Sequence, residues 1–348
     1  MKKYKLRCEL LSPVHIGAGD AIDPLNYIIV NRRLHKVSFE NFVLSMDDSR
    51  RKAFEGIIDK GDLVEIRRYV ADNVRKEKDI TYAVAVTPNI ETLYKSKIGD
   101  IQNQLILVPF IRTEGDSVPL IPGSSLKGAI RTAVISEIAK NSNLPKPRDV
   151  REEYAFESQV LGYKDGKDDP FRGIKIRDRS LQKDDTIVRE VKNVSRKKGG
   201  PLQSNNIQMI CEVTHSHVTG QPVNFDTEIC LDDVLFSTGF LSREFSIEQI
   251  IASCRDFYKD KMEHEHKKFY KNSEVEKLSA QLLNTTLEDK SFLLRVGRFS
   301  GVESVTLDNY RNPKPPGNKA VWGTSRNLAE GLYPMGWVKV TVSEESVL

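Results

Sequence analysis

The chain is poor in residues that would fix its chemistry at sight. Its four cysteines, Cys8, Cys211, Cys230 and Cys254, are scattered through 348 residues with no CxxC pair and no Cys/His spacing suited to zinc. That excludes a disulfide framework and a structural metal site as expectations. No apolar run approaches the ~20 residues of a membrane span. The opening MKKYKLRCELLSP is basic but lacks the apolar core of a secretory signal. The expectation is a soluble, cytoplasmic protein with reduced thiols and no membrane partner. A GxxxxGK[ST] phosphate loop is missing as well. The pairs Asp168/Asp169, Asp184/Asp185 and Asp232/Asp233 are adjacent in sequence. Two-metal nuclease chemistry needs carboxylates converging from different elements, so no metal or other cofactor is expected.

What is present is enough for roughly two domains by the usual size prior, with 39% hydrophobic residues to supply their cores. A net charge of +4 permits a nucleic-acid partner without requiring one, so local clustering has to decide.

Residues 3–11 alternate as a strand, SPVHIGAGD follows as a sharply turning loop, and 27–37 reads as a strand or hairpin. From 38 to 77 the pattern is helical, with Ser38 as a cap, and strands return at 80–87 and 104–111. A helix is expected over 124–141. The stretch 142–206 reads as a loop-rich, charged region with 16 Lys/Arg against 11 Asp/Glu between 140 and 198, a surplus that fits a solvated surface as well as an interaction loop. A strand pair at 207–232, helices over 246–287 and strands near 291–296 and 335–343 complete the pattern. Strands mixed with helices, without steady βαβ alternation, indicate an α+β fold.

Three stretches carry the chemistry. In PGSSLKGAIRTAV, Pro122 to Val134, Ser124 or Ser125 is placed to cap a helix whose first turn attracts anions, and Gly128 permits close approach. Lys127 and Arg131 are four residues apart and share a face, beside an apolar stripe of Leu126, Ile130, Val134 and Ile138. GRFSGVES, Gly297 to Ser304, sets two glycines, Arg298 and Ser300 at a strand end, where backbone amides lie along phosphates; a tight turn is the competing reading. SPVHIGAG holds His15, a candidate general base for RNA cleavage that lacks an evident partner acid. Downstream, Arg311, Lys314, Lys319, Trp322 and Arg326 interleave cations with a ring, as single-strand binding requires, against packing as the plainer role of Trp322. His215 and His217 would share a strand face but find no third metal ligand, and His264 and His266 diverge on a helix.

With SPVHIGAGD after the first strand, PLIPGSSLKGAIRTAVI running into a helix, and GRFSG followed by WGTSRNL, the chain resembles the RAMP superfamily of CRISPR proteins. Within it the resemblance is to the fifth-subunit family of the type III-A Csm effector complex. The resemblance implies two ferredoxin-like (RRM-like) domains. One would span 1–206, with a helical insertion at about 40–78 and the charged loop region at about 142–206, and the other 207–348 with the glycine-rich loop. It implies a non-catalytic RNA-binding subunit that holds the 3′ part of the CRISPR RNA, caps the backbone filament and supports 3′-end maturation and antiviral defence. Its partners would be the CRISPR RNA, the neighbouring backbone and small subunits, and a host trimming ribonuclease. The family's RNA-contacting elements fall on His15, Gly17, Gly19, Ser124, Ser125, Lys127, Arg131, Gly297, Arg298, Ser300 and Gly301, to which charge and position add Lys319 and Arg326. Asp20 and Asp23 lie where the sister subunit carries a cleaving aspartate, but the surrounding sequence matches the capping subunit better. The aromatic signature of ordinary RRM proteins is absent, which moves recognition onto loops and helix starts. Two other readings stand beside this one: a metal-independent endoribonuclease that processes repeat RNA with His15, and an assembly scaffold that recruits a trimming nuclease.

Overall fold

The structure, a computed structural model, describes residues 1–75, 78–148, 150–197, 200–205, 207–241, 243–307, 310 and 323–344. Strand β1 (Lys2–Leu10) buries Leu6, Cys8 and Leu10 and exposes Lys3, Lys5 and Arg7, the period-two pattern of a strand covered on one face. Strands β2 (Tyr27–Val30) and β3 (Arg33–Val37) form a hairpin through Asn31 and Arg32, both at positive φ, as tight two-residue hairpin turns favour. Helices α1 (Phe39–Leu44), α2 (Asp48–Asp59) and α3 (Leu63–Asn73) each begin on a capping side chain, Ser38, Asp47 and Asp62. Their buried Phe42, Phe54 and Val70 pack with Ile28 and Val37 into a small core against the hairpin. Strand β4 (Ile80–Val86), helix α4 (Pro88–Lys97), the short strands β5 (Leu107–Val108) and β6 (Leu120–Ile121), and helix α5 (Gly123–Lys140) follow. The expected strand at 104–111 is reduced to the two residues of β5.

The region 142–206 departs from its loop-rich reading. It contains helix α6 (Val150–Leu161) and strands β7 (Ile174–Ile176), β8 (Arg179–Ser180), β9 (Thr186–Arg196) and β10 (Leu202–Ser204). At 11 residues β9 is the longest strand among the described residues, and it is central to a sheet. Its charges concealed it: Arg189 is buried and paired with Glu330, so a residue counted as solvated surface lies inside.

The chain continues through β11 (Ile210–Thr214), β12 (Asn224–Leu231), α7 (Asp233–Ser237) and α8 (Ile247–Glu265), which runs into a π-helical turn at His266–Tyr270. Helix α9 (Glu276–Leu283), β13 (Ser291–Arg295), α10 (Val302–Val305), β14 (Ser325–Ala329), β15 (Tyr333–Pro334) and β16 (Trp337–Glu344) complete it.

Two large sheets result. The first is antiparallel in the order β13-β16-β1-β12-β7; the second runs β15-β14-β9-β4-β3-β2, with β10 and β11 also on β9, and β5 on β11. Strand β9 changes partners along its length, from β4 and β11 near Ile187 to β14 and β10 near Val194, which curls the sheet. Both sheets draw strands from both halves of the chain: β1 lies between β12 and β16, and β9 bonds to β14. The division at 206 is therefore not a division between sheets. The protein is a mixed helix-and-strand fold, as the α+β reading expected.

The main core lies between the first sheet and helices α5 and α8, where Leu6, Leu10, Ile130, Val134, Tyr258 and Trp337 meet. Each such large apolar side chain contributes about 1.5–3 kcal/mol by leaving water. Across β1 and β12, the opposite face presents Lys3, Lys5, Arg7, Asp226, Glu228 and no aromatic ring, and Lys5 pairs with Asp226 at 2.8 Å. All four cysteines carry free thiols. No helix among the described residues is long and apolar enough to cross a membrane.

Candidate nucleic-acid interface

Residues 11–16 are buried although they form a loop, so their backbone groups need partners from elsewhere. Both sheets supply them. Leu11 donates to the Trp337 carbonyl, Gly336 donates to Pro13, and Val14 and Thr214 bond each other's segments at 3.0 and 2.9 Å. Ile111 donates to Ile16 and Arg298 donates to the His15 carbonyl. The loop is a seam, and His15 sits at its centre.

The His15 ring is 1% exposed and packs between Phe110 and Phe299. Its Nδ1 is 2.7 Å from the backbone oxygen of Glu212. A carbonyl only accepts, so Nδ1 carries the proton and Nε2 is a bare acceptor. That Nε2 is buried and has no hydrogen-bond partner. Burial lowers the pKa of His15, the Glu212 carbonyl opposes this in part, and the Arg298 charge lowers it further. The imidazole is neutral near pH 7. Glu212 supports the arrangement from below: it is 1% exposed, ion-paired with Arg112, and its carboxylate accepts from Thr186 Oγ1 at 2.6 Å and from the Phe110 amide at 3.0 Å.

Helix α5 starts at Gly123, and neither Ser124 nor Ser125 caps it. The first-turn amide of Gly123 donates instead to Asp178 Oδ1 at 2.7 Å, a carboxylate 55 residues downstream. A Cβ at position 123 would lie 2.0 Å from the Ile176 carbonyl oxygen, so only glycine admits this approach. Ser124 and Gly128 are left exposed on the helix.

The third stretch turns at Gly297, φ +89°, where a Cβ would fall 2.4 Å from the His15 carbonyl oxygen. Ser300 is buried and closes the turn by donating to the Gly297 carbonyl at 2.7 Å. Arg298 is exposed beside it, its guanidinium 5.8 Å from the centre of the Phe299 ring.

These three stretches, far apart in sequence, line one groove of about 670 Å³. His15, Gly17 and Gly19 form one wall, Ser124 and Ser125 another, and Gly297, Arg298 and Ser300 a third. Arg295, Thr132 and Val305 are among the further lining residues that were not expected. Among the described lining residues Arg298 is the exposed cation; Arg295 is buried and ion-paired with Glu265.

The remaining expected residues lie elsewhere. Arg131 points away from the groove: its Nε is 3.1 Å from Glu157, its Nη1 2.8 Å from Asp169, and its guanidinium covers the Phe171 ring at 4.9 Å. Lys127 stands one turn earlier on the same face, half-buried; burial lowers its pKa and the charge of Asp169 partly offsets that. The i,i+4 spacing was right that the two share a face, but the groove is built on positions 124, 125, 128, 129 and 132. Arg326 is 3% exposed and clamped between Glu265 at 2.7 Å and Glu303 at 3.0 Å, over the Phe269 ring. Gly301, φ +78°, turns the chain into α10 next to the Arg326 guanidinium, outside the groove. Lys319 lies outside the described residues, as do Arg311, Lys314 and Trp322.

The histidine pairs also separate. Strand β11 ends at Thr214, so His215 and His217 share no strand. Burial and Arg189 push His215 down to about 4, while His217 hydrogen-bonds Asn224 at 3.3 Å. Among the described residues no cluster of three or more His, Cys, Asp or Glu is placed to hold a metal ion.

Residues 7–302 match the RAMP superfamily. A CRISPR system Cms protein Csm5 from Methanocaldococcus jannaschii is 30% identical over 146 residues, 41% of this chain and 32% of that protein. The protein of the same description from Streptococcus thermophilus is 29% identical over 193 residues, 51% of each. The matches thus span between a third and half of the length of these curated relatives. Two solved structures share the fold. One is a chain of the cryo-EM structure of a Csm–crRNA–target RNA ternary complex of a type III-A CRISPR–Cas system, with TM-score 0.70 and 20% identity over 99% of this chain and all of that one. The other is the crystal structure of T. onnurineus Csm5, with TM-score 0.58 and 21% identity over 95% and 99%. A match covering most of the sequence establishes that this chain belongs to the RAMP superfamily.

Proposed function

We propose that this protein is a non-catalytic, RNA-binding subunit of a type III-A CRISPR effector complex. In this reading it holds the 3′ part of the CRISPR RNA, caps the backbone filament beside the neighbouring backbone and small subunits, and supports 3′-end maturation and antiviral defence. Recruitment of a host trimming ribonuclease belongs to the same proposal. The similarity to Csm5 and the shared fold of a chain in a Csm–crRNA complex support the assignment. The single observation that carries RNA binding is the convergence of three separated, glycine-bearing stretches on one groove with an exposed arginine at its edge. Glycines and serine hydroxyls at helix and strand ends let a phosphate approach the chain closely, which suits phosphates of any sequence.

The residues divide by role. His15, Gly17, Gly19, Ser124, Ser125, Gly297, Arg298 and Ser300 make the RNA track. Arg131 holds α5 to the segment around Asp169, Lys127 stands beside it under the charge of Asp169, and Arg326 and Gly301 brace the glycine loop from behind. The first sheet, in which β1 lies between β16 and β12 with α5 and α8 on one face, is read as a ferredoxin-like unit extended by β13. The helices α1–α3 are its companion sheet's insertion, and 1–206 and 207–348 are proposed as ancestral halves whose strands interleave.

Titration of a fluorescent single-stranded RNA at several salt concentrations tests this. Arg298→Ala is expected to weaken binding across sequences and to reduce the slope of log K against log salt by ~0.7 per lost phosphate contact. Unchanged affinity and slope would sink the proposal. The endoribonuclease reading draws on the unpartnered Nε2 of His15, but among the described residues the lining of the groove holds no carboxyl group to serve as the partner acid. His15-dependent cleavage of repeat RNA at one position in EDTA would establish it instead.

A further inference from the structure

Phosphate contacts alone do not account for the groove. Its lining includes Ile16, Val108, Ala129, Val296 and Val305, side chains that have nothing to offer a phosphate. Val305 stands 56% exposed at its edge, on the short helix that follows the glycine loop. Gly128 opens the opposite wall, since a Cβ there would meet no atom within 4 Å. At the floor is the 1% exposed His15, whose Nε2 acceptor lacks a partner and lies 3.2 Å from where a Cβ on Gly17 would stand. An apolar slot with one unmet acceptor and a polar, cationic rim is what a planar heterocycle with an edge N–H requires.

We infer that the groove takes the base of one unstacked nucleotide, laid against Val305 and Val296 with a donor on its Watson–Crick edge directed towards His15, while its phosphate lies at Arg298 and Ser124. This rests on the RNA-binding reading and sharpens it: one nucleotide of the bound strand is turned inward at this point and the others follow the surface. Each of the four bases carries at least one N–H on that edge, so the slot selects an unpaired base without selecting a sequence. The volume of about 670 Å³ is ample for a single nucleotide.

The experiment is an abasic scan. A single-stranded RNA is prepared as a series in which each position in turn lacks its base, and binding of the full chain is measured by fluorescence anisotropy. One position is expected to stand out, its abasic form binding about tenfold more weakly, the equivalent of ~1.4 kcal/mol. Val305→Glu is expected to weaken the intact RNA to the same level and to flatten the scan, whereas Val234→Glu, an equally exposed site on α7, leaves the pattern as it was. A scan that is flat for the unaltered protein overturns the inserted base and leaves surface binding of RNA in place. Failure of every RNA to bind overturns the RNA-binding reading itself. A peak that persists in Val305→Glu moves the inserted base to another part of the protein and also overturns the inference.

Discussion

Gly297 and His15 touch through their backbones: the glycine α-carbon comes so close to the His15 carbonyl that an added Cβ would lie 2.4 Å from its oxygen. The same carbonyl accepts the Arg298 amide at 2.9 Å. The contact joins the loop after β1 to the loop after β13, two segments about 280 residues apart that form facing walls of the groove.

Gly297→Ala therefore meets two penalties, a positive φ and a backbone clash. The expected loss of stability is about 2–4 kcal/mol, measured as a lower urea midpoint. Arg298→Ala, which leaves the turn intact, is expected to unfold at the unaltered midpoint. Equal midpoints for Gly297→Ala and the unaltered protein would show that the two loops are not held by this contact.

Arg131 and Arg298 are expected to fail in opposite ways. Arg131 is largely buried between Glu157, Asp169 and Phe171, so Arg131→Ala strands Asp169 and costs about 1–3 kcal/mol of stability. Its effect on the salt slope of RNA binding, measured below the unfolding temperature, is expected to be nil. If Arg131→Ala lowers the slope as Arg298→Ala does, the arginine reaches RNA and the ion pairs are secondary.

Local features of the chain were legible because local physics decides them. The alternation in β1, the cap at Ser38 and the helix from Gly123 all depend on neighbours within a few residues. What escaped was set by distant partners. Spacing put Lys127 and Arg131 on one face but could not say that this face meets Asp169. The cap of α5 comes from Asp178, which no pattern near Ser124 announces. Strand β9 was hidden because Arg189 counts as a surface charge until Glu330 is placed beside it. Glu212 left one sign, a lone carboxylate within the apolar run ICEVT, and a buried strand keeps such a residue only when it has bonding to do. The three glycine-bearing motifs were readable one by one, and only the fold shows that they share a groove.

Glu265 is the hub of a second buried cluster and predicts a large loss. Its carboxylate is ion-paired with Arg295, accepts from Arg326 at 2.7 Å, and takes the Tyr270 hydroxyl at 2.9 Å. Burial pushes its pKa up, yet Arg295 and Arg326 outweigh burial and hold it below the ordinary carboxylate value. Glu265→Gln keeps the shape and removes the charge, leaving buried Arg295 without its counterion and Arg326 with Glu303 alone, at a cost of about 3–5 kcal/mol. Thermal unfolding measures it. A change of less than a degree would show that Arg295 does not depend on the Glu265 charge.

Acid sensitivity should appear in two windows. His215 is pushed down to about 4 by burial and by Arg189, with Asp184 opposing, and His15 is lowered in the same direction by burial. An unfolded chain protonates both near ~6.5. As pH falls below that value the unfolded state takes up protons that the folded protein refuses, so stability is complete above ~6.5 and declines towards the folded value of His215. Glu265 and Glu303 have the depressed pKa of paired carboxylates, so their contribution is lost only at lower pH, beginning below ~4.3 where the unfolded carboxylates protonate. Urea midpoints from pH 7.5 to 3.5 should show a first decline between about 6.5 and 4.5 that His215→Gln reduces and Glu265→Gln leaves in place. A first decline of the same size in His215→Gln would assign that window to other groups.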